Sequence, residues 1–513
     1  MVDMKPVKRA LISVYDKDGL DGLLKSLHAS GVAFVSTGGT QAFIESSGFP
    51  CAAVEDLTGY PSILGGRVKT LHPKVFGGIL SRRKEAEDAA QLSQYGIEEF
   101  DLVIVDLYPF EQTVASGAPA EEIIEKIDIG GISLIRAAAK NFEDVLVVAS
   151  KAQYGLLGDI LARHGGAAST LAERRMLARE AFAVTSGYDT HIYHYFDGLS
   201  DEVQGGYFRA AVDHPLPLRY GENPHQKAQF YGDLAKTFSQ LHGKEVSYNN
   251  MLDIEAALSL ISEFEDLTFA VIKHNNACGI ASRPTVEEAW TAALACDPVS
   301  AFGGILITNA TVTAQAAESI HAVFFEIILA PAYEEEALTI LKEKKNRIIL
   351  VYTPHTADSP IHYRTLLNGV LTQERDSSIQ TAADLQPLTV RHPDGRETED
   401  LLFANKVVKN SKSNAITLVK NKQLCASGVG QTSRVDALRQ AIEKAKSFGF
   451  DLQGAVMASD AFFPFPDCVD IAAEAGITAV IQPGGSIKDS LSVESCNKNG
   501  LAMVKTGIRH FKH

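Results

Sequence analysis

Over roughly the first 150 residues, short apolar runs alternate with longer stretches in which apolar positions recur every three or four residues. The runs predict strands at 10–14, 32–36, 102–107 and 145–149. The longer periods predict helices at 19–29 and from Thr40 onward, and 169–197 reads as mostly helical. Strands that are apolar throughout suit a parallel sheet covered on both faces, so the expected class is α/β. The pattern resumes later, with strands at 268–273, 304–308, 326–329, 347–352, 455–458 and 477–481 and helices at 285–296 and 434–448. Between the halves, Gly, Asp and Pro cluster at 198–218, which predicts a linker and a boundary at 205/206. The polar stretch 376–400 reads as a surface excursion. SAFGG (300–304) and SDAFFPF (459–465) echo one another and hint at an internal duplication.

A chain of 513 residues exceeds what one core organises, so at least two domains are expected. Lys and Arg total 48 against 63 Asp and Glu, a net charge of −15. That balance argues against a general nucleic-acid or membrane binder, so an anionic ligand must be captured by a few placed cations. The six cysteines form no C-x-x-C pair, which disfavours zinc ribbons and redox dithiols and suits a reducing cytoplasm. The N-terminal apolar stretch is too short for a signal peptide, and no run is long enough to span a bilayer.

Several segments carry candidate chemistry. STGGT (36–40) sits between a strand and a helix, where backbone N–H groups could cradle a phosphate, or simply start a helix. In GGRVKTLHPKVFGGIL (65–80) two glycine pairs flank Arg67, Lys69, Thr70, His72 and Lys74, which favours an anion site over a surface loop. LYPF (107–110) places Tyr108 at the carboxyl end of a strand, as a ligand group or as a packed core tyrosine. IDIGG (127–131) and RAAAKN (136–141) put Asp128, Arg136 and Lys140 on one glycine-opened helical unit. Asp128 is there either a cap or half of an acid/base pair. LRYGENPHQ (218–226), SKSNAITLV (411–419), GQTSR (430–434) and RHF (509–511) offer further polar groups in turns, at element ends and near the C-terminus. No metal-ligand spacing and no nucleophile elbow occurs, which places the nucleophile on a substrate.

FAVIKHNNACG (269–279) ends an apolar run in Lys273 and His274. Neighbouring strand residues point to opposite faces, so both reach one pocket only if the chain turns there. Asn275, Asn276 and Gly279 tolerate such a turn. By itself the pair could equally mark where a strand meets water.

Taken in order with SYNN (247–250), VIKH, SNAI and IQPGGSI (481–487), these segments resemble the family of bifunctional purine biosynthesis proteins over nearly the whole chain. That family joins an inosine monophosphate cyclohydrolase to a 5-aminoimidazole-4-carboxamide ribonucleotide (AICAR) formyltransferase. The resemblance implies an N-terminal methylglyoxal-synthase-like doubly wound domain, residues 1–205 with a core over about 1–150. Residues 206–513 are implied to form the formyltransferase, from two cytidine-deaminase-like α/β subdomains. The deaminase pattern H-x-E…P-C-x-x-C is absent, so no zinc and no other protein-bound catalytic metal is implied. 10-Formyltetrahydrofolate is the implied cosubstrate, and the family leaves room for a structural potassium ion. The implied partners are small nucleotide and folate substrates and a second copy of the chain, in a cytoplasmic homodimer whose formyltransferase sites lie at the subunit interface.

By match, Lys69, Tyr108, Asp128 and Lys140 are the cyclohydrolase's catalytic group, and Ser13, Lys17, Thr37, Gly38, Gly39, Thr40, Arg67 and Thr70 bind its nucleotide. Lys273 and His274 handle formyl transfer, and Asn414 orients the formyl group. Arg219, Tyr220 and Arg509 match phosphate contacts, and Asn250, Phe302, Gly303, Glu326, Arg434, Phe462 and Asp467 line the ligands. The 5-amino group is conjugated to an electron-poor ring and needs a base. A neutral imidazole suits, and the neighbouring Lys273 cation opposes its protonation. Five positions depart from the family pattern: Tyr15, Phe76, Asp106, Ala277 and Pro466. Ala277 stands in place of a proline, which suggests a looser loop after the pair. Two competing readings are a nucleotide- or folate-sensing protein that has lost chemistry on the same folds, and a chain with only one active half.

Overall fold

The computed structural model describes residues 4–199, 206–213, 215–353 and 361–513. Residues 200–205 of the expected linker, and with them the expected boundary at 205/206, lie outside the described residues. The chain divides into two compact units, Met1–Val212 and Asp213–His513.

The first unit is built on a parallel five-stranded sheet in the order Cys51–Ala53, Ala33–Ser36, Arg9–Val14, Leu102–Asp106, Leu146–Val148. The first strand of this sheet in sequence is the central one, and the chain winds away from it on both sides. The topological switch point therefore lies at the carboxyl ends of Arg9–Val14 and its neighbours, the place where doubly wound sheets bind ligands. Leu11, Ile12, Val103, Ile104 and Val147 are fully buried, which is why these segments read as continuous apolar runs. The helix after Ser36 begins at Gly38, two residues before the expected Thr40, with Thr37 as its extended cap. The long helix Leu171–Asp197 opens on a capping box in which Thr170 and Glu173 satisfy each other's backbone N–H groups.

The second unit contains two six-stranded sheets of one topology. The first runs Phe238–His242, Ile348–Tyr352, Ile327–Ala330, Ile305–Thr308, Thr268–Lys273, Asn276–Ser282. The second runs Gln386–Pro387, Ala502–Lys505, Ala479–Gln482, Val456–Ser459, Ile416–Val419, Leu424–Gly428. Strand for strand the order, and whether each pair is parallel or antiparallel, is the same. This is the duplicated α/β organisation that the sequence pattern suggested. The helices Tyr248–Ile261 and Gly395–Lys409 lie in the core common to both sheets, with Phe264 and Phe403 5.1 Å apart.

One expectation needs correction and another is met only in part. SAFGG precedes the strand Ile305–Thr308, whereas SDAFFPF begins at the end of the corresponding strand Val456–Ser459, so the two echoes are not equivalent positions of the duplication. Residues 376–400 are mostly exposed, as expected, but the stretch is tied into the fold at particular points. Gln386–Pro387 closes the edge of the second sheet, and Glu397 and Asp400 are each 1% exposed. Their charges are consumed inside the fold: Glu397 accepts from Arg391 and Thr478, and Asp400 from two backbone N–H groups. Polar composition signals exposure only when the polar groups lack internal partners.

Candidate active sites

In the first unit, two helix starts converge on one loop. Lys69 and Thr70 are consecutive. A methyl at Gly38 would lie 3.8 Å from the Lys69 ammonium, and one at Gly130 would lie 3.0 Å from the Thr70 hydroxyl. Lys17 closes the same corner: its ammonium is 4.0 Å from a methyl position at Gly39 and is held by the carbonyls of Tyr15 and Val14. Two cations thus stand over the N-terminus of the helix Gly38–Ser46, where unpaired N–H groups and the helix dipole favour an anion. Gly38 has φ 46°, a conformation that favours glycine, so STGGT is built for this approach. Buried Thr40 exchanges hydrogen bonds with the backbone of Val14 and locks that helix to the central strand, whose half-buried Ser13 adjoins it. Arg67 lies outside the corner, exposed and paired with Glu125.

Asp128 sits at the other helix start. Its carboxylate accepts from Gly131 N–H at 2.6 Å, and a side chain on Gly131 would collide with it. Burial pushes its pKa above the ordinary carboxylate value, partly offset by the N–H groups of Gly131, Tyr108 and Ile132. The Tyr108 phenol is also raised, first by burial and then by Asp128 and Tyr15. Asp128 is therefore both a cap and a proton-carrying candidate, the two uses the sequence left open. Lys140 is the last residue of the helix Gly130–Lys140, exposed and about 15 Å along the axis from its start. Within the chain it is not brought to Asp128.

In the second unit, a cavity of about 1350 Å³ is lined by Arg219, Tyr220, Asn250, Lys273, His274, Gly303 and Glu326, among others. The expected turn exists: His274 and Asn275 are both left-handed, with φ 50° and 64°. It lets Lys273 and His274 line the same cavity although they are neighbours at the end of a strand. Lys273 Nζ donates to the Phe302 carbonyl at 2.8 Å, and Gly303 leaves room beside it. Phe302 itself is exposed and stacks on Phe324. The Arg219 guanidinium lies over the Tyr220 ring and donates to its hydroxyl. Ala277 is not in a loop: it is buried in the strand Asn276–Ser282 opposite Ile272, and Asp253 pins the turn through Asn275 N–H at 2.6 Å.

A further group gathers on the second sheet. Arg434 donates to Asn414 Oδ1 at 2.9 Å, to Asp460 at 2.6 Å and to Ser459 at 2.8 Å. Asn414 donates onward to Gln431 O. Phe462 follows this cluster, and Asp467 opens the helix Asp467–Glu474 behind Pro466. Exposed Arg509 lies over Phe511, in the C-terminal segment whose Lys512 exchanges hydrogen bonds with Ser413. Lys412 N–H donates to Asn276 Oδ1, and so ties the Asn414 loop to the strand that follows the Lys273–His274 turn. Asn414, Arg434, Phe462, Asp467 and Arg509 do not line the 1350 Å³ cavity itself.

The family model described as AICARFT/IMPCHase bienzyme matches residues 138–444, and that described as MGS-like domain matches 19–133. A bifunctional purine biosynthesis protein PurH from Bacteroides thetaiotaomicron is 66% identical over 513 residues, covering 100% of both chains. PurH proteins from Chlorobium phaeovibrioides and Persephonella marina are 46% and 45% identical, with 99% of this chain covered in each. The chain belongs to the AICARFT/IMPCHase bienzyme family. It is accordingly an enzyme, with the formyltransferase and cyclohydrolase activities that the family name joins.

The candidate sites also hold groups that the sequence did not single out, beside some of the positions that depart from the family pattern. The Lys126 ammonium lies 5.3 Å from the Tyr15 ring and 5.9 Å from that of Tyr108, which meet edge to face. Tyr188, on the long helix, accepts from Asp128 N–H and donates to Lys126 O. Asp106 accepts from Asp16 N–H, and burial raises its pKa. Phe76 simply packs against the core. Lys244, Asp253 and Lys412 line the large cavity, with Lys244 3.4 Å from Glu326. Lys126 and Lys412 had a local signal, each two residues before a motif residue, Asp128 and Asn414. Among the described residues no group of three or more His, Cys, Asp or Glu is placed to hold a metal ion, and no helix is long and apolar enough to cross a membrane.

Proposed function

We propose that the chain catalyses two consecutive steps of purine biosynthesis in the cytoplasm, formyl transfer in the second unit and ring closure in the first. The observation that carries the first reaction is the left-handed turn that lets Lys273 and His274 line one cavity with Arg219 and Tyr220. The 5-amino nitrogen of AICAR attacks the formyl carbon of 10-formyltetrahydrofolate. His274 takes the amine proton, and Lys273 stabilises the developing oxyanion. The bond from the formyl carbon to N10 of the folate then breaks, and a proton returns to that nitrogen with help from Lys273. Arg219 and Tyr220 hold the nucleotide phosphate, with Arg509 as a further contact. Asn250, Gly303 and Glu326 set the ring in register. Asn414, its amide fixed by Arg434, orients the formyl group, and Phe302, Phe462 and Asp467 complete the ligand surface.

In the first unit the phosphate of the formylated product sits against Lys17, Lys69 and the residues 37–40, with Ser13, Arg67 and Thr70 as neighbouring contacts. The carboxamide nitrogen attacks the formyl carbon, a C–N bond forms and water leaves. Lys69 stabilises the oxyanion. Asp128 and Tyr108 pass the protons, and burial raises the pKa of both. Lys140 joins this group by resemblance alone. A potassium ion would find a candidate donor in the buried Asp460 Oδ2, one of several buried oxygens of the second unit without a hydrogen-bond partner among the described residues, and would supply charge neutralisation there.

His274→Ala is expected to slow formyl transfer by about 10²–10⁴ while cyclisation continues. Lys69→Ala is expected to do the reverse. Substrate binding without product formation by the unaltered chain would support the sensor reading instead. We further place the formyltransferase site between two copies of the chain. Mixing inactive His274→Ala with inactive Asn414→Ala protein then restores transfer, and a mixture that stays dead counts against a shared site.

A further inference from the structure

The duplication sets the Lys273–His274 turn beside a sister turn that does not line the cavity. In the second sheet the equivalent turn is Asn421–Lys422, also left-handed at both residues, with φ 54° and 51°. Each turn is braced by an aspartate at the sixth position of the preceding helix, Asp253 in Tyr248–Ile261 and Asp400 in Gly395–Lys409. Asp400 engages both oxygens: Oδ2 accepts from Asn421 N–H at 2.8 Å and Oδ1 from Lys422 N–H at 2.6 Å. Asp253 engages one: Oδ1 accepts from Asn275 N–H at 2.6 Å, and among the described residues no group donates to Oδ2. Asp253 also lines the cavity, whereas Asp400 is 1% exposed. The position opposite Asp400 that corresponds to His274 is Asn421, which does not titrate. The carboxylate oxygen left free is thus on the copy that has an imidazole to serve.

We propose that Asp253 is a positioning residue for formyl transfer: its free oxygen orients the His274 imidazole and stabilises the imidazolium formed when His274 takes the amine proton. The inference rests on the reading of His274 as the base. The proton goes from the 5-amino nitrogen to His274, and Asp253 stays ionised throughout, as the orienting acid of a catalytic triad does. Burial raises the Asp253 pKa, and the Asn275 N–H, His274 and Lys273 counter that rise, while Glu326 adds to it. The other charged groups lining the cavity are Arg219, Glu222, Lys244, Glu245 and Lys412.

Asp253→Asn separates the two duties, since its amide oxygen still accepts the Asn275 N–H but carries no charge. Transfer is followed against pH with saturating folate, alongside Asp400→Asn as the internal control. For Asp253→Asn we expect kcat to fall at least about tenfold and the acidic limb of the profile to move about 0.5–1 pH unit lower, because the imidazole loses its anion. KM for the nucleotide stays within about twofold, and Asp253→Glu restores most of the limb. Asp400→Asn lowers the unfolding midpoint and leaves the limb in place. An unshifted limb in Asp253→Asn, or a loss matched by Asp400→Asn, reduces Asp253 to a brace and overturns the inference. A His274→Ala enzyme at wild-type rate overturns the base assignment itself. An inactive His274→Ala beside an unshifted Asp253→Asn overturns this inference alone.

Discussion

Arg434→Met probes the second sheet most sharply. The Arg434 side chain is 9% exposed and its partner Asp460 is fully buried. The guanidinium supplies the 2.6 Å bond to Asp460 Oδ1, and Asp460 Oδ2 already has no partner. Methionine fills much of the volume but leaves a buried, unpaired carboxylate, which costs about 3–5 kcal/mol. At roughly 2–4 °C per kcal/mol for a domain of this size, the transition of the second unit falls by about 10 °C. The freed Asn414 amide also loses its orientation, so formyl transfer drops by more than about tenfold while cyclisation persists. Scanning calorimetry with separate assays of the two reactions measures all of this. Adding Asp460→Leu removes the stranded charge and should return most of the stability but not the transfer. A single variant that loses less than about 1 kcal/mol, or a double variant no more stable than the single, would refute the reasoning.

Three shorter predictions follow. Asp128→Asn should abolish cyclisation yet stabilise the first unit near neutral pH. Because burial raises the folded carboxyl's pKa above its unfolded value, wild-type stability falls as pH climbs between the two, so the variant's advantage in urea midpoint should vanish toward pH 4. Lys17→Met and Lys69→Met should each weaken inorganic phosphate binding to the first unit by about tenfold or more, read by calorimetric titration at low salt. Gly279→Ala places a methyl 2.0 Å from the Ala293 carbonyl and must push the helix Val286–Cys296 away, so a loss above about 3 kcal/mol is expected in denaturant unfolding.

The sequence by itself determined the elements and the identity of the chemistry. Apolar runs such as 102–106 are legible because a buried parallel strand needs apolar side chains on both faces, a local demand. The turn after Lys273 is legible only in part: Asn275 tolerates left-handed backbone, but His274 shares it while Asn276 already begins the next strand. Only tertiary structure decided which distant groups meet. Lys69 reaches the Gly38 helix start, Lys126 meets two tyrosine rings, and Asp253 braces a turn 22 residues ahead of it. It also decided that Glu397 and Asp400 are interior, since a carboxylate's burial depends on the N–H groups and cations that sheet closure delivers to it. Periodicity records which face a residue turns inward, and long-range closure sets what that residue finds there.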